Sequence, residues 1–240
     1  MTGSQKRPQR RHIPTANKTA LSHQRFWDHM DRIKPQRAAL IWKNIITQVV
    51  QRENIETNLI SYDGTNFYTF IDTFNVHCDI AKRGKNKQGR TNLRQISYAL
   101  FCSADGQIPL YYEIYEGNRN DTKQFPLMLK NFINFIKTNW KTNISLSKLT
   151  LIFDKGNNSK DNFELIDSLK IHYVGSVKLS EFKSLAEISN KDPRFVTSTS
   201  VGLESTKLFR VRKEAYGKYR YFVVTYNQKL FDTQIRNGLP

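Results

Sequence analysis

The sequence predicts an α/β fold: a mixed sheet of order βββαβαβ, with helices before it and a β-rich segment after it. Three observations carry that reading. Residues 58–116 contain three runs rich in β-branched and aromatic side chains, separated by turn-forming stretches. From Asp121 onward the apolar residues switch to helical spacing. The short apolar run at residues 149–153 then ends at Asp154 and Gly156, as a buried parallel strand does.

The elements follow in order. From Met1 to Trp27 the chain carries Lys6, Arg7, Arg10, Arg11, Lys18 and Arg25 and no acid, with Pro8 and Pro14 interrupting any helix. Residues 1–20 therefore read as a disordered basic arm, an organelle transit peptide being the alternative for such a composition. Residues 21–57 read as helical: Phe26, Met30 and Ile33 recur at helical spacing before Pro35, and Leu40, Ile41, Ile45, Val49 and Val50 after it. Residues 58–72, 95–103 and 109–116 read as a β-meander. A helix is expected from a capping arrangement at Asp121 to Gln124, burying Phe125, Met128, Phe132, Ile133 and Ile136. After the strand at 149–153, Asn157, Asn158 and Ser159 turn into a helix bearing Phe163, Ile166 and Leu169, and residues 172–177 return as a fifth strand. This order matches the ribonuclease H-like arrangement, in which three antiparallel strands are extended by parallel ones. Residues 58–180 form that core. Residues 181–240 read as a small β-rich appendage, with a helix over 180–192 and strands over 194–200, 206–212 and 220–226.

Composition narrows the function. With 240 residues, 38% hydrophobic and 12% aromatic, the chain can bury a core. No stretch approaches the roughly 20 apolar residues of a membrane span, and no apolar run follows the basic N-terminus as a secretory signal requires. No membrane partner is expected. Cys78 and Cys102 are the only cysteines and lack zinc-ligand spacing, so both read as reduced core thiols. An excess of 38 Lys and Arg over 21 Asp and Glu gives a net charge of +17 and implies a polyanionic partner. Nucleic acid fits, and so does a merely basic protein of the ribosomal kind.

In the predicted topology the first and fourth strands are neighbours, so Asp63 and Asp154 can face each other. Such a pair of carboxylates can hold two divalent cations that activate the attacking oxygen and stabilise the leaving one in phosphodiester chemistry. Two plainer readings stand beside this one: Asp63-Gly64 as a hairpin turn, and Asp154 as a loop residue before a helix. Between strands, Lys82, Arg83, Lys85, Lys87, Arg90 and Arg94 form a basic run without an acid, and Gly84 and Gly89 allow close approach to phosphates. A solvated hairpin loop is the alternative. Tyr111, Tyr112 and Tyr115 read as sheet packing, and His23, His29 and His172 show no ligand spacing.

Four segments, in this order, resemble the catalytic core of DDE transposases: Tyr62-Asp63-Gly64-Thr65-Asn66-Phe67-Tyr68; the basic run from Arg83 to Gln95; Gly106 to Leu110 with Glu116-Gly117-Asn118-Arg119-Asn120-Asp121; and Phe153-Asp154-Lys155-Gly156. The similarity is greatest to the IS4-like group and its IS1634 branch, and covers about residues 60–180. It implies that Asp63 and Asp154 are catalytic and bind metal, with magnesium or manganese as cofactor in a two-metal site. It also implies DNA transposition by strand cleavage and transfer, with transposon ends and target DNA as partners in the cytoplasm, at the nucleoid of a prokaryote. By the family pattern residues 181–240 are a β-rich insertion, incomplete, and the third acid, a Glu on a helix beyond it, has no counterpart: Glu164, Glu181, Glu204 and Glu214 all fall before or within the insertion. The expectation is a truncated enzyme, inactive alone, forming homo-oligomers or mixed oligomers with a full-length transposase. A non-catalytic DNA-binding remnant and an RNase H-like nuclease are the competing readings.

Overall fold

The computed structural model describes residues 22–72, 74–84, 89, 92–140 and 146–236. The chain divides into two compact units, residues 1–51 and 52–240. In the first, α1 (His23–Asp31) starts where the Ser22 side chain accepts from the Arg25 N–H, and α2 (Pro35–Arg52) starts on a proline. Proline suits that place because the first helical N–H has no intrahelical partner and the ring's φ is already helical. The expected arm at residues 1–20 lies outside the described residues.

The second unit is built on β1 (Leu59–Thr69), β2 (Lys82–Arg83), β3 (Arg94–Ser103), β4 (Pro109–Glu116), α3 (Asp121–Asn139), β5 (Thr150–Phe153), α4 (Lys160–Ser168) and β6 (His172–Gly175). The main path of the sheet runs β2-β3-β1-β5-β6, with β4 also paired to β3. β1, β3 and β4 pair antiparallel, whereas β5 and β6 add in parallel. Apart from the two-residue β2, this is the ribonuclease H-like arrangement. Along β3, buried and half-buried residues alternate without a break, the period of two that a sheet with one covered face requires.

That covered face meets α3, whose Phe125, Met128, Phe132, Ile133 and Ile136 are all buried. Phe132 stacks on Phe101 of β3 at 4.3 Å, and Phe125 packs against Tyr62 of β1 and Phe153 of β5. α3 thereby straps three strands together, and α4 adds Phe163 and Ile166. The tyrosines do pack: Tyr111 lies against Phe132 and Phe135, and Tyr112 stacks on Tyr98.

Several expectations need correction. Asn120 is the cap of α3, one residue earlier than expected; its side chain accepts from the Thr122 N–H at 2.9 Å, because an Asn just outside the helix can reach an orphan donor of the first turn. Asp63-Gly64 is no turn: both residues lie inside β1, opposite Leu100 and Ala99. Cys78 and Cys102 are half-buried, free thiols. Residues 180–192 hold only one 3-10 turn and the four-residue α5 (Lys183–Ala186). There Ser189 and Asp192 turn their side chains onto the N–H groups of Lys191 and Arg194, a local competition that ends helices.

The β-rich segment comprises β7 (Val196–Thr197), β8 (Thr206–Ala215) and β9 (Lys218–Asn227), followed by α6 (Gln228–Arg236), which periodicity had not indicated. The β8–β9 connection is the two-residue turn Tyr216-Gly217, with φ of 52° and 82°. Positive φ at both positions matches the twist of a tight hairpin, and glycine at the second carries no Cβ penalty. Tyr216 leaves the turn to stack on Phe163 of α4 at 4.4 Å and to donate to Glu181 Oε2. Burial, then that hydrogen bond, push its phenol up to about 12.

Candidate functional site

The parallel pairing of β1 with β5 places the two predicted acids. Its last rung joins Tyr62 to Phe153. Asp63 and Asp154 are the next residues on each strand, and Asp154 keeps an extended backbone at φ −83°, ψ 159°. Residues level on adjacent parallel strands project to the same side, so both carboxylates leave the sheet opposite the face that buries Tyr62 and Phe153. Asp63 is exposed, and its Oδ1 accepts from the Gly64 N–H at 2.8 Å.

Asp154 is held from the neighbouring strand. Its Oδ1 accepts from the hydroxyl of Ser176, directly after β6, at 2.8 Å, and the Ser176 oxygen accepts in turn from the Lys155 N–H. The Ser176 hydrogen bond, with smaller help from the Lys155 backbone, holds the Asp154 carboxyl below its ordinary range. Hydrogen bonds given to the ionised form stabilise that form.

A further acid, which the sequence marked only as a capping residue, lies near Gly64 of β1, on the side of the strand that Tyr62 shares. Asp121, the first residue of α3, accepts from the Tyr115 hydroxyl at 3.1 Å, and a Cβ built on Gly64 would lie 3.8 Å from its carboxyl carbon. Burial raises the Tyr115 phenol, and the charges of both Asp121 and Asp63 raise it further. Among the described residues, however, no group of three or more His, Cys, Asp or Glu stands where it could hold a metal ion. The start of α3 is bound to the loop after Asp154: Thr122 donates to the Gly156 carbonyl at 2.8 Å, and the Asn162 amide bridges Thr122 and Asn157. Asn66, Asn118, Asp121 and Gly156 help to line a polar cavity of about 380 Å³ at this junction.

The basic run divides. Lys82 and Arg83 form β2, paired with Gln95 and Arg94. Lys85, Lys87 and Arg90 lie outside the described residues. The Arg94 guanidinium is turned inward onto four carbonyls, those of Ala81, Asp72, Asn75 and Cys78, at 2.5–3.1 Å. It clamps the segment between β1 and β2 onto β3. Nearby, the buried Gln95 amide donates to the Gly117 carbonyl at 2.6 Å, and a Cβ at Gly117 would fall 1.9 Å from the Gln95 carbonyl oxygen. Glycine is required there by a close approach of two backbones.

The chain is similar to several solved transposase structures. The Mos1 transposase paired-end complex with left transposon end matches at 11% identity and a TM-score of 0.35, over 58% of this chain and 41% of that one. The catalytic domain of Mos1 mariner transposase matches at 10% and 0.33, over 63% and 72%. The piggyBac transposase synaptic complex with hairpin DNA matches at 13% and 0.39, over 92% and 50%. The chain spans less than half the length of the Mos1 chains in these complexes. No curated protein matches it. The family model described as the transposase DDE domain matches residues 55–234, most of the chain, and the protein belongs to that family.

Proposed function

We propose that the chain is the core of a DNA transposase, in which Asp63 and Asp154 form the carboxylate pair for strand cleavage and transfer at transposon ends. The observation that carries this reading is the β1–β5 register, which makes the two acids neighbours on one side of the sheet. Magnesium and manganese take hard oxygen donors, and these two carboxylates are suited to them. Neither is consumed by an ion pair among the described residues. When bound, the cations would activate the attacking oxygen and stabilise the departing one.

The chain's own residues do the rest. Ser176 keeps Asp154 ionised and aimed. Lys82 and Arg83, with Lys85, Lys87, Arg90 and the edge of Arg94, are proposed to meet the DNA backbone beside the site; Arg94 does so chiefly by holding the others in place. The motif order favours the IS4-like group and its IS1634 branch. With two adjacent carboxylates rather than three, the chain alone is expected to hold a cation weakly and to cleave slowly. Assembly with a copy of itself or with a longer transposase belongs to the same proposal.

Manganese binding, read by electron paramagnetic resonance, tests the pair without requiring turnover. Asp63→Asn and Asp154→Asn should each lower affinity at least tenfold at unchanged melting temperature. Undiminished binding in the double variant would remove the assignment. A non-catalytic DNA-binding protein is the second reading, favoured by the absence of a third clustered acid among the described residues. It predicts DNA binding with no manganese site at all.

A further inference from the structure

The β8–β9 hairpin has two unlike faces. Phe209, Ala215 and Arg220 point inward and are buried. Arg220 donates through both Nη atoms to Asp167 of α4 and also to the Tyr173 hydroxyl of β6, so this face is fixed to the core. The outward face carries Arg210 and Arg212 from β8 and Tyr219, Tyr221 and Val223 from β9, with Tyr219 and Tyr221 64% and 66% exposed.

These side chains are ordered against one another. Arg210 is opposite Val223 and Arg212 opposite Tyr221 in the ladder. Each guanidinium leans one diagonal step toward the turn, Arg210 over the Tyr221 ring at 4.7 Å and Arg212 over the Tyr219 ring at 5.3 Å. Diagonal neighbours in an antiparallel pair are within reach of long side chains. A guanidinium stacked on a ring loses rotational freedom yet keeps its N–H edge, the geometry that matches a phosphate.

We propose that this outward face is a second DNA-backbone contact surface, on which Arg210 and Arg212, each stacked on a tyrosine, take phosphates of the bound duplex. The proposal rests on the transposase reading and adds to it a surface on the β-rich segment. Charge complementarity selects the occupant: two stacked cations share the face with one acid, Glu214, on a chain of net charge +17. The exposed rings of Tyr219 and Tyr221 on this face are each covered by a guanidinium, which leaves charge at its surface.

Fluorescence anisotropy with a labelled 30-base-pair duplex, without divalent cations and across a potassium chloride series, tests it. The Arg210→Ala/Arg212→Ala variant should flatten the slope of log K against log salt by about 2, near 0.9 for each phosphate no longer neutralised. Tyr219→Ala/Tyr221→Ala should weaken binding severalfold with the slope kept, because the charges remain but are no longer held. Arg210→Lys/Arg212→Lys should restore the slope without restoring full affinity. All these side chains are exposed, so melting temperatures should stay within a few degrees. Wild-type binding with a steep slope that the double alanine variant reproduces would overturn this surface alone. A wild-type chain that binds no duplex would overturn the transposase reading with it. A change of oligomeric state in the alanine variant, with DNA binding intact, would assign the face to another copy of the chain and also overturn the proposal.

Discussion

Arg220 and Asp167 form a bidentate pair, Nη1 to Oδ1 at 3.1 Å and Nη2 to Oδ2 at 2.9 Å, that joins the hairpin to α4. The guanidinium also donates to the Ala215 carbonyl and lies over the rings of Phe163 and Tyr173, while Lys218 reaches Asp167 at 3.1 Å. The arginine side chain is only 8% exposed, so removing either partner leaves a charge with little water to take it up.

Replacing Arg220 by Met keeps most of the volume and strands Asp167 with Lys218 alone. Thermal or urea unfolding should show a loss of about 3 kcal/mol, the usual result of breaking a buried pair from one side. A loss below about 1 kcal/mol, the range of an exposed pair, would show that the hairpin is held chiefly by Tyr216 on Phe163.

The same pair fixes a pH dependence. Burial alone would raise the Asp167 carboxyl, but hydrogen bonds from Arg220 and Lys218 outweigh it and hold the group below its ordinary value. A depressed folded pKa stabilises the fold above the unfolded pKa of about 3.9, and that contribution disappears as pH falls through the folded pKa. The melting difference between the wild type and Asp167→Asn should be level from neutral pH to about pH 5 and shrink below about pH 4. A difference unchanged down to pH 2 would disprove the linkage.

Ser176→Ala should act on Asp154 without touching its position directly after β5. Losing the hydroxyl donor lets the carboxyl rise back toward its ordinary range. The acid limb of manganese binding should therefore move to higher pH, with affinity at neutral pH much less affected. An acid limb that stays in place would show that Ser176 does not tune this carboxylate.

Two glycines should respond in opposite ways. Gly117→Ala forces a methyl onto a backbone oxygen at 1.9 Å and should cost about 3 kcal/mol, the upper end of the usual range for overpacking. Gly64→Ala meets nothing nearer than 3.6 Å and should leave the melting temperature within a few degrees. Comparable losses in both would mean that β1 is packed more tightly than its surroundings indicate.

Arg94→Ala removes the donor of four loop carbonyls and should expose residues 70–81 to proteolysis. Phe74 and Val76 are already 88% and 77% exposed, so the first cuts should fall there, with the salt dependence of DNA binding little changed. A flattened salt slope with an intact loop would assign Arg94 to phosphate binding instead.

The sheet was legible because its strands are short, β-branched and interrupted by turn residues, and α3 because Phe125 to Ile136 repeat at helical spacing. The Asp63–Asp154 proximity followed from strand order, a property of chain connectivity. Asp121 was not legible as a neighbour of Gly64, since its place depends on how the start of α3 packs over β1, and no periodicity encodes that. The carbonyl partners of Arg94 were not legible for a related reason: a base in a basic run shows no sign of the folded loop whose carbonyls surround it. Arg220 and Asp167 lie 53 residues apart and carry no pattern linking them.

Because the two acids are fixed by strand register rather than by a loop, the site should tolerate exchange of side chains far better than any change of length. Deleting one residue between Thr150 and Phe153 would draw Asp154 one step into β5 and turn its carboxylate to the side that meets α3. A single-residue insertion or deletion in β1 or β5 should therefore part the two carboxylates even where the protein still folds, while scattered substitutions elsewhere in the same strands leave them paired.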